Sequence, residues 1–298
     1  MNKLNSFLKK CNLKINYVDI GARDDISPLL KRFNDNIKII GFEVDPEERN
    51  KLKEKFPDRK YYDFGLWSKK QQLDLYLTID PGCSSIYKPN FEANSKFKDI
   101  FHSSRNLNKI IPISCNTLDS IDEPEIDFIK IDTQGAEYEI LKGAKKVLSS
   151  NIPLVSCETW TTEVYQNVPL MHKVIEIMYD YGYELLDMEL CHSAKHKNNN
   201  KSISKAISGG YEILFYKKNI NSNINQNLLI KHILLLDLFG YKDLANHIFN
   251  VQKINNDDLE RYLIKNSSFA NNKKVFIKKG LSILYNKFIG STYLKMSD

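Results

Sequence analysis

Between residue 15 and about residue 217, short apolar runs alternate with stretches whose apolar residues recur at helical spacing. The runs are "INYVDIG", "IKIIGFEVD", "KYYDFGLW", "IDFIKID", "IPLVSCE", "GYELLDM" and "GYEILFYKK". Their length and their β-branched and aromatic content predict strands. After the fourth run, Ile140, Leu141, Ala144, Val147 and Leu148 form one helical stripe; after Pro169, Leu170, Val174, Ile177, Met178 and Tyr181 form another. Ser27 as N-cap and Pro28 at the first helical position predict a helix between the first two runs. Strands alternating with helices predict an α/β fold with a mostly parallel sheet. The last two runs are joined by "ELCHSAKHKNNNKSISKAISG", which is too polar for a buried crossover helix. They are expected to form an antiparallel pair near the sheet edge, with this segment as an exposed loop.

The pattern then changes. "KKNINSNINQN" reads as a linker, and beyond it "LLIKHILLLDLFGYKDLANHIFN" and "NNKKVFIKKGLSILYNKFIG" carry helical patterns separated by Asn-rich breaks. The expected division is a domain over 1–218, a linker over 219–227 and a helical C-terminal appendage over 228–298. In the appendage, Ile277, Leu281, Leu284 and Phe288 align on one stripe amid Lys273, Lys274, Lys278, Lys279 and Lys287. Such a stripe either packs on a neighbouring domain or a second subunit, or lies on an anionic membrane surface.

Composition adds bounds. A chain of 298 residues with 42% hydrophobic content can bury a large core. No apolar run approaches signal-peptide or membrane-span length, so a cytoplasmic location is expected. The five cysteines are odd in number, scattered and without a Cys-x-x-Cys pair, which argues against a disulfide framework and a structural zinc site. The net charge of +6 is concentrated in residues 219 to 298, which hold eleven Lys or Arg against six Asp or Glu. The rest is nearly neutral and lacks a basic patch interleaved with aromatics, so nucleic acid is not an expected partner.

Candidate chemistry clusters where the strands end. In an open α/β sheet, ligands bind at the carboxyl ends of the strands, and Asp132 stands just past the fourth run. It either faces a ligand crevice or satisfies backbone donors in the turn. In "YVDIGARDD", Gly21 allows close backbone approach to a ligand. Glu43 follows 22 residues later, where an acid accepts hydrogen bonds from both hydroxyls of an adenosine ribose. A nicotinamide dinucleotide would call for Gly-x-Gly-x-x-Gly, whereas this turn places Asp24 and Asp25 near the pyrophosphate position. A cationic, phosphate-free adenosine ligand, S-adenosyl-L-methionine, fits better. Lys130 interrupts an otherwise apolar strand and requires a partner carboxylate.

"IDFIKIDTQGAEYEILKGA" closely resembles the signature of the FkbM family of S-adenosylmethionine-dependent methyltransferases. "VDIGA", "GFEVDP", "CSSIY", "CNTLDSI", "CETW", "VYQNVP", "YGYELLDM" and "YEILFYKK" follow in the family order, so the resemblance covers roughly residues 15 to 218. It implies the class I methyltransferase fold, a Rossmann-like α/β sheet of seven strands, mostly parallel, with the last inserted antiparallel. It also implies that Asp19, Gly21 and Ala22 line the methionine end of the cofactor, that Glu43 holds the ribose, and that Phe64, Gly65 and Leu66 flank the adenine. Asp132 would stand between cofactor and substrate, with Glu137 and Glu158 as further acids of the pattern and Ser84 and Ser85 edging the substrate pocket. The family turn usually continues with Asn after "GA" and a glycine two residues later; here Arg23 and Asp25 stand there. Arg23 either pairs with the cofactor carboxylate or is a surface charge.

The expected activity is therefore O-methyl transfer to a hydroxyl of a sugar, glycan precursor or other small polar metabolite, the acceptor class resting on the resemblance alone. An alcohol nucleophile must lose its proton, and Asp132, Glu158 and His102 are the candidate bases. "CHSAKHK" lies in a polar segment without a second ligand cluster, so no metal is expected. The alternative is a noncatalytic module that keeps the fold as a scaffold in a glycan-assembly complex.

Overall fold

The structure is a computed structural model and describes residues 3–97, 103–123, 125–150, 152–197, 205–218, 225–254 and 256–267. The strands are β1 (Ile15–Ile20), β2 (Ile37–Phe42), β3 (Lys60–Tyr62), β4 (Gly65–Leu66), β5 (Gln71–Thr78), β6 (Leu107–Asn116), β7 (Phe128–Ile131), β8 (Leu154–Trp160), β9 (Tyr183–Ala194) and β10 (Ile207–Lys217). The helices are α1 (Lys3–Lys10), α2 (Pro46–Lys55), α3 (Phe91–Ser95), α4 (Glu137–Lys142), α5 (Lys145–Ser149), α6 (Met171–Asp180), α7 (Gln226–Leu238), α8 (Lys242–Val251) and α9 (Asp257–Ser267).

Seven strands form the main sheet in the order β3-β2-β1-β7-β8-β10-β9. β10 runs antiparallel to both neighbours, while the pairs β3–β2, β2–β1, β1–β7 and β7–β8 are parallel. This is the class I methyltransferase arrangement. Alternation along β1 shows why the sheet is covered on both faces: Ile15 and Tyr17 enter one core, and Val18 and Ile20 the other. The second core is closed by Ile140, Leu141, Val174, Ile177 and Met178 from α4 and α6, the two stripes expected from the sequence.

The helix expected between the first two strands is not an α-helix. Leu30–Asn36 forms 3-10 turns kinked at Asn34 (φ 50°), and Ser27 Oγ accepts only a long bond from Leu30 N, at 3.3 Å. Asn36 Nδ2 donates to Phe33 O, a local bond that competes with a regular helical turn. The sheet face there is covered instead by α1 and α7. Buried from Leu229 to Leu238, α7 packs Leu229, Ile230, Ile233 and Leu234 into the core that holds Tyr17 and Phe128. Its Lys231 pairs with the fully buried Asp127 at 3.0 Å. α7 thus begins two residues before the expected boundary at 228 and is built into the same core as β1.

The variable stretch between the third and fourth runs supplies a second sheet, β4-β6-β5. The C-terminal lysine-flanked stripe from Lys273 to Phe288 lies outside the described residues. Among the described residues, no helix is long and apolar enough to cross a membrane.

Candidate active site

The carboxyl ends of β1, β2, β7 and β8 open into a cavity of about 320 Å³. Gly21 makes the first wall possible. Its φ is +81°, and a Cβ there would stand 2.0 Å from the Asp132 carbonyl oxygen. The turns after β1 and β7 thus touch backbone to backbone, with Asp132 N donating to Ile20 O at 2.9 Å. The glycine is needed for this close protein contact, whereas the sequence suggested contact with a ligand.

Register then sets the charges. Asp19 on β1 lies beside Lys130 on β7, and Asp132 follows two residues later on the same face. Lys130 Nζ donates to Asp132 Oδ2 at 2.9 Å, the partner that its place in an apolar strand required. Burial works to strip the Lys130 proton, but the charges of Asp132 and Asp19 outweigh it and hold the ammonium protonated. Asp132 is held ionised in the opposite sense: burial would raise its carboxyl, and Lys130 lowers it. Asp19 is buried behind the cavity and its carboxyl is raised by burial.

Glu158, at the end of β8, completes the acceptor-facing side. Gln134 Nε2 bridges the two acids, donating to Asp132 Oδ1 at 3.2 Å and to Glu158 Oε2. Glu158 Oε1 stands 2.8 Å from His192 Nε2. Burial and then the Asp132 charge push the Glu158 carboxyl above the usual carboxylate range, against the pull of His192. Of the two acids, Glu158 is the one poised to hold a proton.

Gln134 owes its aim to a tight turn in which it has φ 58°. The buried Glu137 clamps that turn, accepting from Thr133 N at 2.8 Å, Thr133 Oγ1 at 3.0 Å and Gly135 N at 3.2 Å. Its carboxyl is pushed up to about 7 by burial. Ser85 supports the turn from the other side, donating to Gln134 O at 2.7 Å.

The opposite end of the cavity is made by Phe42, Glu43, Val44, Gly65 and Leu66. Glu43 Oε1 accepts from Asp45 N at 2.7 Å, and burial raises its carboxyl to about 7. Asp45 caps α2, accepting from Glu47 N, and Glu48 from the first turn of that helix also reaches the cavity. Arg23 lines the mouth, its guanidinium 3.4 Å from Asp80 and packed on Gly82.

Of the residues singled out in the sequence, Gly21, Arg23, Glu43, Gly65, Leu66, Ser84, Asp132 and Glu158 therefore line one cavity. Asp19, Ala22, Phe64, Ser85 and Glu137 lie outside its lining; Phe64 packs on Phe42 and Tyr62. His102 lies outside the described residues. Asp24 and Asp25 are not where the charge argument placed them, since neither lines the cavity. Asp25 turns away to Lys31 and Arg59, whose hydrogen bonds overcome burial and hold its carboxyl at about 2. The acidic groups of the lining are instead Glu43, Asp45, Glu48, Asp132 and Glu158, and among the described residues Arg23 is the one Lys or Arg there.

Two contributors were missed. Gln134 was inside the quoted motif without a role, and only its place between Asp132 and the Gly135 turn hinted at one. His192 was assigned to a polar loop, but β9 continues through Ala194 and carries His192 to Glu158.

Residues 19–185 match the methyltransferase FkbM domain. No curated protein matches the sequence. Among solved structures, the chain is similar to methyltransferase FkbM from Methylobacillus flagellatus KT, with 14% identity, 72% of this chain and 48% of that chain covered, and a TM-score of 0.38. It thus spans about half the length of that relative. It is also similar to precorrin-6y C5,15-methyltransferase from Geobacter metallireducens GS-15, with 15% identity, 72% and 86% coverage, and a TM-score of 0.36. A third is a TehB-like SAM-dependent methyltransferase from Corynebacterium glutamicum, at 11% identity, 73% and 89% coverage, and a TM-score of 0.36. The family match spans more than half of the sequence, over the strands that build the cavity, and the chain belongs to the FkbM methyltransferase family.

Proposed function

We propose that the cavity binds S-adenosyl-L-methionine and that the protein transfers a methyl group to a hydroxyl oxygen of a sugar, glycan precursor or other small polar metabolite. The observation that carries this reading is the acidic lining of the cavity: five carboxyl groups, of which burial raises those of Glu43 and Glu158, stand against one guanidinium around a space of about 320 Å³, which favours a cationic ligand over a phosphorylated one. That volume falls in the range of small-molecule sites. Glu43 would accept from the ribose hydroxyls, while Phe42, Leu66 and Ile140 give an apolar wall for a base. When bound, the sulfonium supplies a methyl carbon open to in-line displacement, so the protein's task is positioning.

On this reading the two acids divide the work. Asp132, kept ionised by Lys130, is a fixed negative charge at the cofactor end. Glu158, with its raised carboxyl, takes the proton of the acceptor hydroxyl when its carboxylate form is present. Gln134 holds both acids at one spacing. The acceptor class follows the family resemblance, and the placement of Glu158 beside the cavity supports a nucleophile that needs a base.

The test is release of S-adenosylhomocysteine from S-adenosylmethionine by the full chain across a panel of sugars and polyols. Acceptor-dependent release supports the reading. Cofactor binding with no release for any hydroxyl acceptor, and release with amine or thiol acceptors instead, would overturn the O-methyl assignment.

A further inference from the structure

We propose that Glu158 and His192, which line the cavity, and the neighbouring Cys191 form a binding site for a thiophilic divalent cation, Zn²⁺ in the first instance. The three residues offer a carboxylate oxygen, a sulfur and an imidazole nitrogen that all lie within 4.8 Å of one another. Neighbours on a regular strand point to opposite faces, so Cys191 and His192 should not converge. They do so because β9 is bulged. Leu190 pairs with Tyr211 and His192 with Gly210, which leaves Cys191 without a partner position on β10. A bulge of this kind re-aims a side chain.

The His192 ring is fixed independently. It stacks on Trp160 at 4.9 Å and 22°, over Gly210, where a Cβ would come within 3.3 Å of its Cδ2. Glu158 is steadied by Gln134, the outer hydrogen bond that a ligating carboxylate ordinarily has.

One sulfur, one imidazole and one carboxylate are the donor mixture of three-ligand zinc sites, which leave a fourth position open. Ligand atoms around a tetrahedral zinc stand roughly 3.3 to 3.8 Å apart, so capture asks the widest gap, at most 4.8 Å, to close by up to about an ångström and Glu158 Oε1 and His192 Nε2, 2.8 Å apart, to open by about half that. Cys191 is exposed, which gives the ion an entry path. Binding releases the thiol proton to solvent. In the metal-loaded protein Glu158 is a ligand, and a hydroxyl at the open position would have its pKa lowered by the metal, so that it loses its proton to solvent without Glu158 as the base. That use rests on the methyl-transfer reading; the binding of the ion does not.

The test uses the full chain without cofactor or acceptor. Titration with Co²⁺ is expected to give a near-ultraviolet sulfur-to-cobalt charge-transfer band and intense tetrahedral visible bands, both removed by one equivalent of Zn²⁺. Cys191→Ser should abolish the charge-transfer band, and His192→Gln should weaken Zn²⁺ binding by more than the roughly 10- to 100-fold that loss of an outer-shell partner costs. Zn²⁺ should also shield Cys191 of the unmutated chain from alkylation, a readout that needs no variant to fold. Absence of the band, its persistence in Cys191→Ser, or unchanged alkylation of Cys191 under saturating Zn²⁺ would each overturn the site, whatever the chain does with S-adenosylmethionine.

Discussion

Lys130 on β7 and Asp132, the first residue past its end, pair at 2.9 Å, with Asp19 of β1 paired with Lys130 in register. One short segment therefore carries both the fixed charge of the site and the cation that keeps it ionised. Lys130→Met should cost about 1 to 3 kcal/mol of stability, below the figure for a fully buried pair because both side chains keep some exposure. Asp132→Asn should remain folded and lower methyl transfer by roughly 10²-fold. In a double-mutant cycle followed by urea unfolding, the two substitutions should be non-additive, and strict additivity would deny the pairing.

Gly21→Ala is predicted to act on folding before it acts on binding. The new Cβ would meet the Asp132 carbonyl at 2.0 Å in a φ that side chains resist. A loss of about 2 to 4 kcal/mol is expected in urea unfolding. A stable variant with weakened cofactor affinity would instead mean that the glycine makes room for a ligand.

Stability should fall as pH rises from about 4.5 to about 7. The Glu137 carboxyl is pushed up to about 7 by burial, against 4.5 for an ordinary glutamate, so the folded chain holds the proton that the unfolded chain has already lost. The stabilisation is complete below the lower value and is lost through the upper one. Glu137→Gln keeps an acceptor oxygen for the Thr133 and Gly135 donors and should flatten that part of the profile. Urea midpoints that do not change slope between wild type and variant would contradict it.

Lys231→Met should cost about 3 to 5 kcal/mol, because it leaves the fully buried Asp127 without its cation. Adding Asp127→Asn should recover part of the loss. This places the start of the C-terminal helices in the energetics of the sheet. A neutral Lys231→Met would mean that α7 can leave the sheet without unfolding it.

Much of this was legible along the chain. Parallel strands buried on both faces write continuous apolar runs, so the succession of strands along the chain could be read, and residues at or near the ends of those runs, Gly21, Glu43, Asp132 and Glu158, line one cavity. What escaped depends on direction rather than type. Asp25 was counted toward the cavity but turns to Arg59, a partner 34 residues away. Cys191 and His192 read as loop because a bulge in a polar edge strand leaves no periodicity. The first helical pattern of the appendage read as a separate unit, with no sign that it would cover β1 and β7. Leu30–Asn36, in 3-10 turns, still buries Leu30 and Phe33 in the core that α7 joins.

The most direct test of the central claim is calorimetric titration of the full chain and of Glu43→Ala with S-adenosylmethionine and S-adenosylhomocysteine. One site per chain is predicted for both ligands, with Glu43→Ala weakened by about 1.5 to 3 kcal/mol, the worth of hydrogen bonds to a charged group. No heat and no saturation with either ligand at millimolar concentration, or wild-type affinity in Glu43→Ala, would contradict the assignment of this cavity as the cofactor site.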